Sequence, residues 1–279
     1  MTDEPAVAAI TGAASGFGRA IVDELAGRGF SIAMFDLDEP RLDEAAEAVR
    51  STFGVEVLAR PVDVASRAAL LEAAAAVDTR FGRCDLLWAN VGVQHFGAVE
   101  TITDDVWRWV LDVNVIGTSR TVQAFLPLLR RSPHARIAFT TSTNALVPAA
   151  RLAAYQATKY AVVGLAETLR LELAAEPVDV SIVYPAGMIT RHLESSAEAR
   201  PSHLGPGTVD ESDLIAMMES RPMADVDLTT AEAAAAVAVA GVLAGEPHVV
   251  THGDLRAALA ERDAAIAEAV DRAAPGTDA

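Results

Sequence analysis

Cysteine and lysine are nearly absent from this chain, with one of each, Cys84 and Lys159, in 279 residues. A single cysteine excludes a disulfide framework and a cysteine-rich zinc site, and it fits a reducing, cytoplasmic setting. Basic charge is short as well. With 22 Lys+Arg against 39 Asp+Glu and a formal net charge of −17, the chain would repel a phosphate backbone or an anionic membrane surface. Neither nucleic acid nor a membrane is therefore expected as partner. Met1 to Pro5 show neither the basic nor the apolar part of a secretory leader. The longest lipophilic stretch, residues 233–244, falls well short of the roughly 20 residues that cross a bilayer and reads as a core-packing helix. No Pro/Gly/Ser linker divides the chain, and no repeat of about 20 to 50 residues shows. What is present is ordinary globular composition, 51% hydrophobic and 22% charged, enough for one domain with a large core.

Short apolar runs at residues 7–11, 31–36, 55–60, 84–89, 136–141, 178–184 and 248–251 alternate with helical stretches. Several are apolar throughout rather than alternating, as in parallel strands covered on both faces. The pattern predicts a single-domain α/β fold, Rossmann-like and doubly wound, with a seven-stranded parallel sheet and helices on both faces. The one loose region, residues 188–228, carries prolines 201, 206 and 222 and glycines 205 and 207. An insertion that long predicts a lid over a substrate, and residues 254–273 predict a charged C-terminal helix.

Immediately after the first run stands Thr11-Gly12-Ala13-Ala14-Ser15-Gly16-Phe17-Gly18, and a helix opens at about Phe17. Glycines permit a tight turn and close approach of a pyrophosphate to bare backbone, while the helix N-terminus stabilises its charge. A glycine-rich turn can also be only a loop. Asp36 argues otherwise, because it ends the second strand 18 residues past Gly18, where a carboxylate accepts hydrogen bonds from the adenosine ribose. A phosphate on that ribose would meet a negative charge, and no Arg or Lys stands between Thr11 and Gly18 to offset it. NAD is favoured over NADP. Asp63 is placed to reach the adenine amino group or, equally, to form a turn ahead of Ser66.

The chain holds 21 arginines beside its one lysine, so Lys159 marks a position where a compact ammonium is needed and a planar guanidinium does not fit. It stands four residues after Tyr155 on the helical stretch 152–174, on the same face. A free phenol has a pKa of about 10, and acting as a base near pH 7 requires about 4 kcal/mol. An ammonium about 4 Å away at an effective dielectric near 20 supplies roughly that much. Ser142, ending the fifth strand 13 residues before Tyr155, would stabilise charge on the substrate oxygen; in the polar run 140–144 it reads equally as a cap or turn. Asn114, in the middle of the helical stretch 105–130, is poorly placed by helix propensity. It points to solvent, perturbs the helix locally or holds a water that relays protons. His248 and His252 lie four apart on a strand, an unsuitable spacing for a metal pair, and no metal is expected.

These elements together resemble the classical branch of the short-chain dehydrogenase/reductase family over about residues 6 to 252. The resemblance implies Tyr155 as general acid/base, Lys159 as the group that lowers its pKa and binds the nicotinamide ribose, Ser142 on the substrate oxygen and Asn114 in the proton relay. It implies cofactor contacts at Gly12, Ser15, Gly16, Phe17 and Gly18, at Asp36, Asp63 and Val64, and at Asn90 and Gly92 of the segment Ala89-Asn90-Val91-Gly92. The stretch Tyr184-Pro185-Ala186-Gly187-Met188-Ile189-Thr190 implies further contacts at Pro185, Gly187, Met188 and Thr190. Ala186 departs from the family pattern, where Gly is usual, and so do Ala89 and Val91.

The function so implied is NAD-dependent interconversion of a secondary alcohol and its ketone by hydride transfer, in the oxidative direction. Apolar lid residues such as Leu193, Leu204, Leu214, Met217 and Met223 suit a hydrophobic organic alcohol, or else only pack the lid. The alternatives are an NADPH-dependent carbonyl reductase and a redox-silent NAD-binding regulator. The stretches 105–130 and 152–174 carry apolar faces, among them Val106, Val110, Val113, Val163, Ala166 and Leu169, and the resemblance implies a homodimer or homotetramer through them.

Overall fold

The computed structural model describes residues 5–207, 209–220 and 228–273; Pro222 and Met223 of the expected lid lie outside them. Seven parallel strands form one sheet: β1 (Val7–Thr11), β2 (Ser31–Asp36), β3 (Val57–Pro61), β4 (Leu86–Ala89), β5 (Ala135–Thr140), β6 (Val178–Tyr184) and β9 (His248–Val250). Their order is β3-β2-β1-β4-β5-β6-β9. The chain winds outward from β1 in one direction and from β4 in the other. The crevice between these strands, at their C-terminal ends, is where such sheets bind ligands. The doubly wound expectation is met, with strand ends displaced by one or two residues, as at β4, which begins at Leu86 rather than Cys84.

Both faces of the sheet are covered. Helices α1 (Gly16–Gly27), α2 (Glu39–Phe53) and α9 (Ala231–Leu243) bury Ile21, Leu25, Leu42, Val49 and Val239 against one face. On the other, α3 (Arg67–Phe81), α5 (Thr118–Leu129) and α6 (Ala153–Glu172) bury Leu70, Val77, Phe125, Val162 and Ala166. The Ala-rich segment near 233–244 is thus a core-packing helix, α9. Local signals set the ends of these helices. Asp38 accepts from Arg41 N at the start of α2, and Gly54 closes it in the left-handed region; Ser66 and Gly82 do the same for α3.

The single helix expected over 105–130 is interrupted. It divides into α4 (Asp104–Leu111), a π-turn over Asp112–Gly117, and α5. The cause is Asn114, whose amide reaches out of the helix to the backbone of Val93, together with close packing at Gly117, where a Cβ would lie 2.9 Å from Val64 Cγ2. A π-turn widens the ladder and carries a side chain the regular helix would not.

Between β6 and β9 run β7 (Met188–Ile189), α7 (His192–Glu198), α8 (Glu211–Ser220) and β8 (Thr229–Thr230), with β7 paired to β8. The last helix, α10 (Arg256–Ala273), is largely exposed; Arg262 ties it to the body by donating to Leu146 O and lying over the Tyr160 ring. Among the described residues no helix is long and apolar enough to cross a membrane.

Candidate active site

The glycine turn lies at the C-terminal end of β1 and is shaped by what a side chain would strike. Gly12 and Gly16 adopt φ of +68° and +54°, and a Cβ on Gly18 would stand 1.9 Å from Gly12 O. No heavier residue fits at that last position without opening the turn. Ser15 caps α1 through its backbone conformation only. The helix has no acidic residue in its first turn, so its N-terminal N–H groups and dipole remain available to an anion. Phe17 is buried beneath the turn. This donor-rich, side-chain-free cradle fits a dinucleotide pyrophosphate.

Asn90 fastens the turn from behind. Its Nδ2 donates to Thr11 O at 3.1 Å and Gly12 O at 3.3 Å, and its Oδ1 accepts from Thr140 Oγ1 at 3.0 Å. Asp36 fastens it from the side, accepting from Ala14 N at 3.0 Å and from Asp38 N. Burial pushes the Asp36 carboxyl up, opposed by these backbone hydrogen bonds. A carboxylate has about four acceptor positions; with a third backbone hydrogen bond from Leu37, one remains. Arg41, five residues on, is engaged by Asp38 and Glu198. Asp63 is exposed and accepts from Ala65 N at 2.8 Å, in the turn ahead of Ser66. Val64 Cγ2 packs against Gly117.

The Pro-Gly stretch closes the opposite side. Thr190 Cβ lies 3.5 Å from the position a Gly16 Cβ would take, so the two segments meet across the crevice. Pro185 O accepts from Thr143 N, and Gly187 O accepts from Thr229 N and pairs with His252 Nε2 at 2.9 Å. His252, weighed in sequence only as a metal ligand, anchors this loop.

The second cluster sits beside the first. Ser142 lies two residues past the end of β5 rather than ending it, and its Oγ accepts from Asn144 N. Tyr155 and Lys159 are buried on one face of α6, with the ammonium 5.4 Å from the phenol ring centroid. Lys159 Nζ donates to Thr140 O at 3.1 Å. A continuous chain of contacts therefore runs from Lys159 through Thr140 and Asn90 to Gly12. Gly92 makes room for the ammonium, since a Cβ there would lie 3.0 Å from Nζ and 3.6 Å from Asn114 Oδ1. Asn114 Nδ2 donates to Val93 O and to Thr158 Oγ1, and Thr158 donates to Tyr155 O.

Burial governs the charges here. It pushes the Tyr155 phenol up to about 12, against a lowering hydrogen bond from Ser142, and it pushes the Lys159 amine down to about 8. The simple expectation that one ammonium brings the phenol near neutrality omitted desolvation, which opposes charge on both groups.

His192, at the first turn of α7, was not singled out from sequence, yet its ring packs against Tyr155 at 6.1 Å between centroids. His95 lies by Arg200 instead, 3.5 Å from its guanidinium. A groove of about 680 Å³ opens on another side of α6, beside Gln156 and Tyr160; Ser142, Tyr155 and Lys159 do not line it.

The family model described as short chain dehydrogenase matches residues 6–201. The SadH protein of Mycobacterium tuberculosis is 34% identical over 251 residues, covering 88% of this chain and 86% of that one. Among solved structures, a short chain dehydrogenase/reductase from Burkholderia phymatum in complex with NAD has a TM-score of 0.86 at 29% identity, covering 100% of this chain and 99% of that one. An alcohol dehydrogenase from the archaeon Thermococcus sibiricus, complexed with 5-hydroxy-NADP, has a TM-score of 0.72 at 25% identity, covering 88% and 96%. The chain belongs to the short-chain dehydrogenase/reductase family and is an oxidoreductase.

Proposed function

We propose that this oxidoreductase uses NAD to interconvert a secondary alcohol and its ketone, with a hydrophobic organic skeleton as substrate. The observation that carries the reading is the single connected site: Ser142 and Lys159 flank Tyr155, and Lys159 is tied through Thr140 and Asn90 to the glycine turn. Gly12, Ser15, Gly16, Phe17 and Gly18 would hold the pyrophosphate, Asp36 the adenosine ribose, and Pro185, Gly187, Met188 and Thr190 the nicotinamide end. Bound NAD would supply the hydride acceptor. Ser142 would hold the substrate oxygen by its hydroxyl, and Tyr155 would exchange a proton with that oxygen. Lys159, an ammonium at neutral pH, would favour the ionised phenol by its charge. Asn114 has one acceptor position left on Oδ1, facing the same space beside Gly92 as the ammonium, and would pass the proton onward through water.

The segment 188–228 is read as a substrate lid. Supporting this, α7 lies against Tyr155 through His192, while α8 attaches to the loop ahead of α6 through Arg151–Asp213 and through Ala150 N to Ser220 Oγ. Nicotinamide absorbance with NAD, against a panel of steroid, terpene, aryl and sugar alcohols, tests the whole reading; no turnover of any of them would favour a redox-silent NAD binder.

Cofactor choice rests on Asp36. Asp36→Ala is expected to lose about 10- to 100-fold in NAD affinity, the range for a hydrogen bond to a charged group, and to gain in relative use of NADP. Equal use of both cofactors by the parent chain would remove the argument.

A homo-oligomer is also proposed. Its support is not the apolar face expected from periodicity, because Val106, Val110, Ala166 and Leu169 are buried in the subunit's own core. The exposed apolar residues nearby are Leu111, Ile116 and Leu171. Sedimentation at micromolar concentration should give a dimer or tetramer, and a monomer would refute this.

A further inference from the structure

The backbone of His192 is fully engaged, and its imidazole is not. Its N–H donates to Thr190 Oγ1 at 3.3 Å, and its carbonyl accepts from Ser196 Oγ at 2.7 Å and Ser195 Oγ at 3.3 Å. Ser196 Oγ in turn accepts from Gln94 N at 3.1 Å, so the first turn of α7 is pinned to the segment following β4. The side chain is thereby held over the Tyr155 ring, tilted by 57°. Neither ring nitrogen has a hydrogen-bond partner among the described residues. Nor are those nitrogens sealed away, since among the described residues the one enclosed, unpartnered side-chain polar atom is Arg136 Nε. An aromatic ring there would suffice for packing; two free nitrogens beside the candidate acid/base call for a ligand group.

We propose that His192 is a specificity-determining residue that hydrogen-bonds a second oxygen of the substrate, on a carbon close to the reacting carbinol. This rests on the alcohol–ketone reading above and deepens it: the preferred substrates are hydroxy-alcohols and hydroxy-ketones rather than mono-alcohols. Burial and the neighbouring Lys159 ammonium hold the imidazole down to about 4, so near neutral pH it offers one donor and one acceptor. That pairing suits a neutral hydroxyl or carbonyl better than a carboxylate. A site built to hydrogen-bond a substrate oxygen disfavours the analogue that lacks it, because its own polar groups are then left unpaired.

The test uses two matched pairs that differ by one oxygen, benzoin against deoxybenzoin and acetoin against butanone, one pair bulky and one small. Binding to the full chain with NADH is followed by the nitrogen-15 signals of the imidazoles, with His192 assigned by its absence in His192→Phe. The hydroxy-ketone of at least one pair should shift the His192 signal and its deoxy partner should not. His192→Phe, which keeps an aromatic ring against Tyr155, should weaken the hydroxy-ketone about tenfold and leave the deoxy ketone and NADH unchanged. His192→Gln should recover part of the loss. Equal weakening of both members, or no effect, overturns the proposal, as does failure of all four ketones to bind. Because binding is read without turnover, a selective effect of His192 together with no oxidation or reduction would leave this inference standing and refute the reaction.

Discussion

Tyr155→Phe is expected to lose about 10²- to 10⁴-fold in turnover, the range for removal of a positioned acid/base, while binding NADH about as tightly as the parent chain. The substitution removes one oxygen from a side chain that is 7% exposed and leaves the ring that packs against His192. It touches none of the hydrogen bonds through Asn90 and Asp36 that shape the glycine turn. What disappears is the proton donor and acceptor. With the phenol pushed up to about 12, the resting group is protonated at pH 7. It is then ready to give a proton to a ketone oxygen and takes one from an alcohol more readily as the pH rises. Oxidation by the parent chain should therefore accelerate from about pH 7 up to about pH 8, where Lys159 begins to lose the charge that favours the phenolate, and the variant should lose that dependence along with the rate. Steady-state assays across this range and a fluorescence titration with NADH check both halves. Turnover within tenfold of the parent would remove Tyr155 from the chemistry.

The parts of this site that were readable in sequence are the parts built from contiguous residues. Three glycines in a turn after an apolar run, and Tyr155 four residues before the one lysine, each carry their geometry in local spacing. Strand order is different in kind. The alternation of runs argues for a parallel sheet, but that β4 rather than β3 lies beside β1 is a matter of long-range pairing. The π-turn is an intermediate case. An amide in mid-helix signalled a local disturbance, whereas its partner, Val93, lies 21 residues away and left no mark in the sequence. His192 was invisible for the same reason, since nothing in Thr190-Arg191-His192-Leu193 says that the third side chain will meet Tyr155. Thr140, which joins Lys159 to Asn90, stood unnoticed in a polar run. Periodicity on α4 and α6 identified apolar faces correctly and could not say that both are buried within the subunit, that of α6 against the sheet and that of α4 against Val93, Ile102 and Ala154.

Lys159→Met is expected to give two opposed results: near-complete loss of turnover and a gain in stability. Lys159 is 3% exposed, no carboxylate pairs with it among the described salt bridges, and its hydrogen bond goes to Thr140 O. Burial lowers its folded-state pKa from 10.5 to about 8. Below pH 8 the folded protein holds a charge that water would solvate better. The unfolded chain binds more protons between about pH 8 and 10.5, so stability from this residue rises with pH across that window. At pH 7 the burden corresponds to ~3 kcal/mol. Methionine fills similar volume without charge and leaves Thr140 O one donor short, a loss of about 1 kcal/mol. The variant should therefore be about 2 kcal/mol more stable than the parent at pH 7, with the advantage holding to about pH 8, shrinking above it and reversing near pH 10, as the lysine of the unfolded parent loses its proton too. Urea unfolding of both proteins at pH 7 and near pH 10 measures the difference, in which every unaltered group largely cancels. A gain independent of pH would mean that packing rather than charge was at issue. A loss at pH 7 would mean that the ammonium is better solvated in the fold than its burial implies. If the gain appears with activity gone, the one lysine in the chain is retained for its charge beside Tyr155 and at the expense of stability, which is the pattern expected of a group placed for chemistry.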